Sequence, residues 1–253
     1  MSVHHSSKGY ETGAAAYVKG RPSYPAEATV WLRDVLGVGP GRRTLDVGAG
    51  TGKFVAVLKE CGGEIVAVEP IAGMREQLVH SFPDLTVLAG TAETIPLPDG
   101  SVDAVVCAQA FHWFATAAAL QEMRRVLAPG GRLGLIWNVR DESRPWVAAL
   151  SAITDPWEAG TPRYRTGDWR RAFPAPGFEA IDERHVRHAH VGSPDDVIVR
   201  RTLSVSFIAA LASDLQAEVE RDVRMLIANT PELAGATEVA FPYETAMFAF
   251  RKV

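Results

Sequence analysis

A glycine-rich turn after an apolar run is the part of the sequence best suited to ligand binding. The run contains Asp46 and leads into Gly48, Gly50 and Gly52. Glycines let the backbone pass close beneath a ligand, and the free N–H groups of a following helix point at it. Glu69 lies 23 residues after Asp46, at the end of the next apolar run. A carboxylate there can accept both hydroxyls of a ribose. The alternative is a tight turn that only joins a strand to a helix.

The spacing of these glycines separates two kinds of nucleotide cofactor. The dinucleotide fingerprint would place its third glycine at position 53, where Lys53 stands, and the third glycine is Gly52 instead. A nicotinamide-dependent oxidoreductase is therefore a disfavoured alternative. A non-catalytic cofactor-binding protein is a second alternative, because no feature of the sequence excludes it.

A cluster of aromatic residues follows the fourth apolar run. In open α/β sheets ligands bind beyond the carboxyl ends of the strands, so Gln109 is predicted to lie beside a cofactor. Phe111, His112 and Trp113 are predicted to line a pocket for a small, partly apolar molecule. Ordinary core packing is the alternative for Phe111, Trp113 and Phe114. His112 is the candidate catalytic residue, since a histidine with a pKa of about 6.5 can act as a general base. An orienting hydrogen bond and a plain pocket wall are its alternatives.

The elements that must position these residues alternate along the first half of the chain. Such alternation is typical of βαβ units and a parallel sheet. The prediction is an α/β, doubly wound, mostly parallel seven-stranded sheet with an antiparallel C-terminal strand and a helical cap. The strands are predicted at 43–47, 64–69, 85–88, 102–108, 132–137, 178–191 and 245–253. The helices are predicted at 26–36, 54–61, 73–80, 115–127, 194–211 and 214–228.

The sequence resembles the class I S-adenosylmethionine-dependent methyltransferases over roughly residues 43–138. Their first motif, an acid, one spacer and Gly-x-Gly-x-Gly, matches Asp46 to Gly52, and the segments 90–103 and 127–132 resemble later motifs. The resemblance implies a Rossmann-like fold and S-adenosylmethionine as the cofactor. It also implies a set of cofactor-binding residues: Asp46, Gly48, Ala49, Gly50, Gly52, Glu69, Pro70, Thr91, Ala92, Glu93 and Gln109.

The N-terminal segment is similar to a branch of this family that methylates small acids, including the trans-aconitate methyltransferases. By that resemblance Tyr17 and Arg21 are expected to contact the methionine carboxylate of the cofactor, a group that arginine binds well. A helix-entry turn with surface residues is the alternative. The resemblance implies methyl transfer to a small molecule, with O-methylation of a small acid or a hydroxylated metabolite as the expected reaction.

Length and composition are consistent with one soluble domain. The chain has 253 residues, 47% of them hydrophobic, and a net charge of −4. We expect a single domain over 1–253, with a helical lid at 1–40, a cofactor-binding core at 41–140, and a substrate-side cap with the terminal strands at 141–253. Mild acidity disfavours nucleic acid as a partner, and a monomer or homodimer is expected.

Membrane and metal sites are not expected. No run reaches the roughly 18 apolar residues that cross a bilayer, and the start of the chain lacks the pattern of a secretion signal. A cytoplasmic location follows as the expectation. His188 and His190 would share one face of a strand, but no Cys or Asp at ligand spacing completes a metal site.

Overall fold

A computed structural model describes residues 22–253, and the chain divides into two compact units. The larger unit contains Tyr24–Val139, Pro162–Val186 and Thr245–Val253. The smaller unit includes Arg140–Thr161 and Arg187–Glu244. All the predicted site residues from Asp46 to Trp113 belong to the larger unit.

Seven strands form one sheet in the order β3-β2-β1-β4-β5-β7-β6. Strands β1 to β5 pair in parallel, and the C-terminal strand is antiparallel. This confirms the predicted fold. The strands are β1 Arg43–Val47, β2 Glu64–Val68, β3 Thr86–Leu88, β4 Val102–Ala108, β5 Leu127–Arg140, β6 Phe178–Gly192 and β7 Val239–Lys252.

The order of the strands places the candidate site. The chain runs outward from β1 to β2 and β3, then returns to β4 on the other side of β1. The carboxyl ends of β1 and β4 therefore flank the switch point at which open α/β sheets bind ligands. Asp46 is paired with Ala67 of β2 and Val106 of β4, so it lies at the centre of this edge.

Helices pack on the sheet because alternate strand residues are buried on opposite faces. One cluster contains Leu133, Leu135 and Trp137 of β5, whereas Ile136 belongs to a second cluster with Trp31. The helices are α1 Ala26–Asp34, α2 Lys53–Cys61, α3 Ala72–Ser81, α4 Ala117–Val126, α5 Pro145–Thr154, α6 Arg201–Leu203, α7 Ser206–Ala209 and α8 Ser213–Asn229.

The predicted helix over 194–211 is wrong as a single element. It consists of a π-helical turn, Asp195–Arg200, followed by the short helices α6 and α7. The Ser204 hydroxyl donates to the Arg201 carbonyl at 2.8 Å, and Val205 has extended backbone angles. A side chain that competes for backbone hydrogen bonds, followed by a β-branched residue, explains the break.

Two further elements after position 138 differ from the sequence-based prediction: one helix is additional, and one strand is longer. Helix α5 is absent from the sequence-based prediction, because prolines interrupt this part of the sequence. Pro145 occupies the first turn of the helix, however, where its missing N–H costs nothing. Strand β7 begins at Val239, earlier than the predicted residue 245. No helix within residues 22–253 is long and apolar enough to cross a membrane.

Candidate functional site

The loop between β1 and α2 has a backbone that only glycine adopts easily. Its three glycines have φ values between 57° and 88°. A Cβ added to Gly48 would lie 2.9 Å from the Cβ of Ala110. A Cβ added to Gly52 would lie 2.6 Å from the Phe82 ring. At Gly50 the nearest atom would be the Met74 sulfur, 3.8 Å away. Gly48 and Gly52 are therefore needed for packing, whereas Gly50 leaves room for a ligand against the backbone.

Glu69 is built into this loop. Its Oε2 accepts the Gly50 N–H at 2.9 Å, and its Oε1 accepts the Ile71 N–H at 2.9 Å. Burial raises the pKa of Glu69, while these two N–H groups and the nearby Arg75 guanidinium act in the opposite direction. Arg75 also donates to the backbone carbonyls of Glu69 and Pro70. A carboxylate has about four acceptor positions, so Glu69 can hold the loop and still accept hydroxyls.

Asp46 is the most unusual group at this edge of the sheet. It is fully buried, and neither carboxylate oxygen has a hydrogen-bond partner among the residues that the structure describes. Burial raises the pKa of Asp46 to about 8, and the Glu69 charge adds to the effect. Burying a carboxyl group without partners is unfavourable. Such a group fits a ligand that brings hydrogen-bond donors or positive charge.

The predicted cofactor-binding residues Thr91, Ala92 and Glu93 lie in a closed turn. The backbone N–H of Thr91 donates to the Thr94 carbonyl at 3.3 Å, and the N–H of Thr94 donates back at 3.2 Å. Ala92 is buried and Glu93 is half-buried between them. This turn therefore has a defined shape at the carboxyl end of β3.

Gln109 has strained backbone geometry directly after β4. Its φ of 56° is rare for a residue with a side chain. The side-chain N–H donates to the Asn138 carbonyl at 3.0 Å, and the backbone N–H donates to the Ile136 carbonyl at 2.8 Å. Gln109 therefore joins the ends of β4 and β5, and its position at the switch point is the one predicted for a cofactor neighbour.

The aromatic residues after Gln109 differ in exposure. Phe111 is fully buried and lies edge-on to Phe114 at 5.9 Å between ring centres. His112 and Trp113 are half-buried, with ring centres 5.3 Å apart. Packing in the core accounts for Phe111, while His112 and Trp113 present part of their surface.

Trp137 on β5 contacts His112 and was not singled out from the sequence. The Trp137 indole N–H donates to His112 Nδ1 at 3.0 Å. The ring also packs against Trp169 at 4.7 Å and Tyr164 at 5.0 Å. The alternation of Leu133, Leu135 and Trp137 on one face of the strand indicates that Trp137 is buried. No pattern in the sequence indicates its contact with His112.

Two N-terminal candidates and the histidines of β6 remain to be placed. Tyr17 and Arg21 lie outside the described residues. The His185 and His188 rings pack against Phe248 and Tyr243 at 5.8 Å and 5.9 Å. From residue 22 onward, no three His, Cys, Asp or Glu side chains come together in a group that could hold a metal ion.

Comparison with known proteins decides the family. A family profile described as a methyltransferase domain matches residues 45–135. An uncharacterized methyltransferase of Mycobacterium tuberculosis is 40% identical over 242 residues, which cover 94% of this chain and 93% of that protein. The chain belongs to the class I S-adenosylmethionine-dependent methyltransferases. It is a methyltransferase enzyme, so the nicotinamide-dependent oxidoreductase and the non-catalytic binding protein are set aside.

Solved structures of other methyltransferases share the fold. A Bacillus halodurans protein solved as a candidate methyltransferase has a TM-score of 0.59 at 17% identity, covering 89% of this chain and 99% of that one. A geranyl diphosphate methyltransferase in complex with S-adenosylmethionine has a TM-score of 0.51 at 17% identity, covering 90% and 85%. These likenesses show the Rossmann-like architecture of the methyltransferase.

Proposed function

We propose that this enzyme transfers a methyl group from S-adenosylmethionine to an oxygen of a small molecule, either a small acid or a hydroxylated metabolite. The observation that carries the proposal is the Asp46 carboxyl group, which is buried and has no hydrogen-bond partner among the described residues. It lies on the strand that leads into the glycine loop. A cofactor with cationic groups and hydroxyls supplies the donors that this carboxyl group lacks.

Each part of the loop has a role toward that cofactor. The open space at Gly50 admits the ligand to the backbone. Asp46 faces its methionine and ribose part, and Glu69 accepts the ribose hydroxyls while holding the loop. When bound, S-adenosylmethionine supplies a methyl group activated by a sulfonium sulfur. The protein's main task is then to hold the acceptor in line with that methyl group.

Further residues complete the proposed cofactor site. Gln109 and Pro70 flank the loop at the ends of β4 and β2, and Tyr17 and Arg21 contact the methionine carboxylate. The Thr91–Thr94 turn borders the adenine, with Ala92 and Glu93 beside the base.

The acceptor side is formed by aromatic residues. Half-buried rings suit a partly apolar small molecule, and His112 and Trp113 have that exposure. The proposal includes a helical lid at 1–40, a cofactor-binding core at 41–140 and a substrate-side region at 141–253. It also includes a cytoplasmic location and a monomer or homodimer.

Ligand-dependent heat stability tests the cofactor. S-adenosylmethionine and its demethylated product should both raise the melting temperature, whereas NAD should not. A ligand at about 100 times its dissociation constant adds roughly 2.7 kcal/mol to the free energy of unfolding. Stabilisation by NAD alone would overturn the proposal.

Substitution of Glu69 sharpens that test. Hydrogen bonds to charged groups contribute about 1.5 to 3 kcal/mol each, so the loss of two such bonds in Glu69→Ala should weaken cofactor binding by about a hundredfold or more in calorimetry. Because Glu69 also accepts two backbone N–H groups, this variant should be less stable as well. Glu64→Ala, an exposed position at the opposite end of β2, is the matched control and should bind normally. Equal affinity in both variants would contradict the assignment of Glu69.

A further inference from the structure

Helix α4 binds the segment that follows the Thr91–Thr94 turn through two charged side chains, Glu122 and Arg125. The backbone N–H of Ile95 donates to Glu122 Oε1 at 2.8 Å. The Arg125 guanidinium donates to the Ile95 carbonyl at 3.0 Å. Both polar backbone groups of the residue next to the turn are therefore bound to α4. We call these two side chains the clamp.

Arg125 engages every donor that it has in these contacts. A guanidinium carries five N–H donors in a rigid plane. Two of them bind the carboxylate oxygens of Glu122, at 2.8 and 2.7 Å. A third goes to Ile95, and the remaining two donate to the Leu97 carbonyl at 2.9 Å and to Asp99 Oδ1 at 2.6 Å. Arg125 is therefore suited to fixing the chain at three alternate residues, and not to contacting a ligand.

The two charges of the clamp are partly shielded from solvent. The side chain of Glu122 is 16% exposed and that of Arg125 is 31% exposed. Hydrogen bonds from Arg125 are the main cause of a lowered pKa of Glu122, so this carboxylate is charged at neutral pH. Salt screens a partly buried pair less than an exposed one. The clamp is therefore a lasting link between α4 and the segment after the turn.

Close packing connects this segment to the turn itself. A Cβ added to Gly90 would lie 2.8 Å from the Pro96 ring and 3.2 Å from a methyl carbon of Val68 in β2. Gly90 precedes the turn and Pro96 follows it, so the two ends of the turn are in contact. Ala92 and Ile95 are buried in the same hydrophobic cluster. A shift of the chain at Ile95 would therefore move the turn as well.

We propose that Glu122 and Arg125 are positioning residues for the cofactor, and that they set its affinity and the selectivity for its base by fixing the turn. This inference rests on the proposed function, in which the turn borders the adenine. The clamp acts through Ile95. A preformed site binds its ligand without the entropy loss of ordering a loop. Loss of the clamp should therefore weaken cofactor binding in a chain that still folds.

Calorimetry with S-adenosylhomocysteine, the demethylated product, tests the clamp without a methyl acceptor. Arg125→Met keeps an unbranched apolar side chain but has no N–H donor, and it should weaken binding about ten- to a hundredfold. Arg42→Met is the matched control. The Arg42 guanidinium pairs with Asp103 at 2.8 Å, where β1 and β4 begin, and its loss should leave the affinity unchanged. Equal affinity in wild type and Arg125→Met would refute the positioning role.

A change of base separates positioning from a general loss of structure. The probe is the same product with hypoxanthine in place of adenine, which exchanges an amino group for a carbonyl. The wild type should bind the adenine form at least about tenfold more tightly. Arg125→Met should lose most of this preference, and Arg42→Met should keep it. An unchanged preference in Arg125→Met, or none in the wild type, would show that the clamp does not set base selectivity.

A conservative variant keeps the test open if Arg125→Met does not fold. Glu122→Gln retains an oxygen for the Ile95 N–H but lacks the charge that pairs with Arg125. It should weaken product binding about three- to tenfold and reduce the preference for adenine. Glu122→Leu cannot accept the N–H and should bind more weakly than Glu122→Gln. Wild-type affinity in both Glu122 variants would contradict the inference.

The inference and the proposed function fail in different ways. A wild-type chain that is stabilised by NAD alone refutes the proposed function. A wild-type chain that binds S-adenosylhomocysteine as tightly as Arg125→Met and Glu122→Leu do refutes only the role of the clamp.

Discussion

The glycine loop and the aromatic segment at 109–114 lie at the ends of neighbouring strands but are specified in different ways. The loop depends on backbone features: positive φ at three glycines and an N–H of Gly50 bound to Glu69. The aromatic segment depends on side chains from distant parts of the chain, since His112 is held by Trp137, and Trp137 by Tyr164 and Trp169.

This difference has a functional consequence. A backbone-defined loop requires glycine at fixed positions, so it is suited to one invariant ligand such as a cofactor. A side-chain-defined segment can change its surface through substitutions elsewhere, so it is suited to the part of the reaction that varies, the methyl acceptor. The following predictions test whether the two regions are independent in this way.

The largest effect is expected at Asp46, beside the loop. Its pKa is about 8 in the folded chain against an ordinary value of 3.8, so folding takes up a proton between these values. The free energy of unfolding of the wild type therefore falls as pH rises through that window, by up to about 1.4 kcal/mol per pH unit. Asp46→Asn removes this titration and should stabilise the ligand-free protein by on the order of 3 kcal/mol at neutral pH. Cofactor binding should weaken.

Denaturant unfolding across pH checks this expectation, and Asp103→Asn is the control. The backbone N–H of Arg43 and the Arg42 guanidinium lower the pKa of Asp103. Its contribution to stability is therefore present at neutral pH and is lost as pH falls, opposite in sign to that of Asp46. Asp103→Asn should thus destabilise the protein near neutral pH. Identical pH profiles for Asp46→Asn and the wild type would show that the buried carboxyl group is not protonated.

The second prediction divides the glycines of the loop by function. Gly52→Ala places a Cβ against Leu78 and Phe82, at 2.6 Å from the latter, with φ at 88°. Overpacking and left-handed strain together should cost about 3 kcal/mol of folding free energy. Gly50→Ala meets nothing closer than 3.8 Å and should cost only about 1 kcal/mol, from its positive φ.

Cofactor affinity should reverse that order. Gly50→Ala should weaken binding measurably in calorimetry, because its methyl group occupies the space left for the ligand, and Gly50→Val should weaken it further. If Gly50→Ala binds the cofactor as well as wild type does, then the loop is a structural turn and the contrast with the aromatic segment is lost.

The loop and the strands around it could be predicted almost completely from the sequence. The bounds of β1 and β4 agree with the prediction, because apolar runs bounded by glycine and polar residues mark buried strands. The placement of Asp46 on β1 and of Glu69 directly after β2 follows from the same pattern.

The side chains that hold His112 and Trp137 in place could not be predicted in the same way. Tyr164 and Trp169 come from a segment rich in prolines, without the periodicity that marks a helix or strand. Their packing on Trp137 is a long-range contact that no local spacing encodes. Helix α5, which begins at Pro145, lies close to the same region and is likewise absent from the prediction.

The smallest effect is expected at Trp113, and it addresses the acceptor side alone. Trp113 is half-buried beside His112. Loss of its ring should remove contact that the bound acceptor and the transition state share equally, which raises KM without lowering kcat. Trp113→Ala should therefore raise the acceptor KM about tenfold, or roughly 1.4 kcal/mol, with cofactor affinity unchanged.

Trp113→Phe should restore most of the loss, and Trp157→Ala, in the smaller unit, controls for removal of a half-buried indole. A Trp113→Ala enzyme that binds cofactor tenfold more weakly would show that the two regions are coupled, and the division between a backbone-defined cofactor site and a side-chain-defined acceptor site would fail.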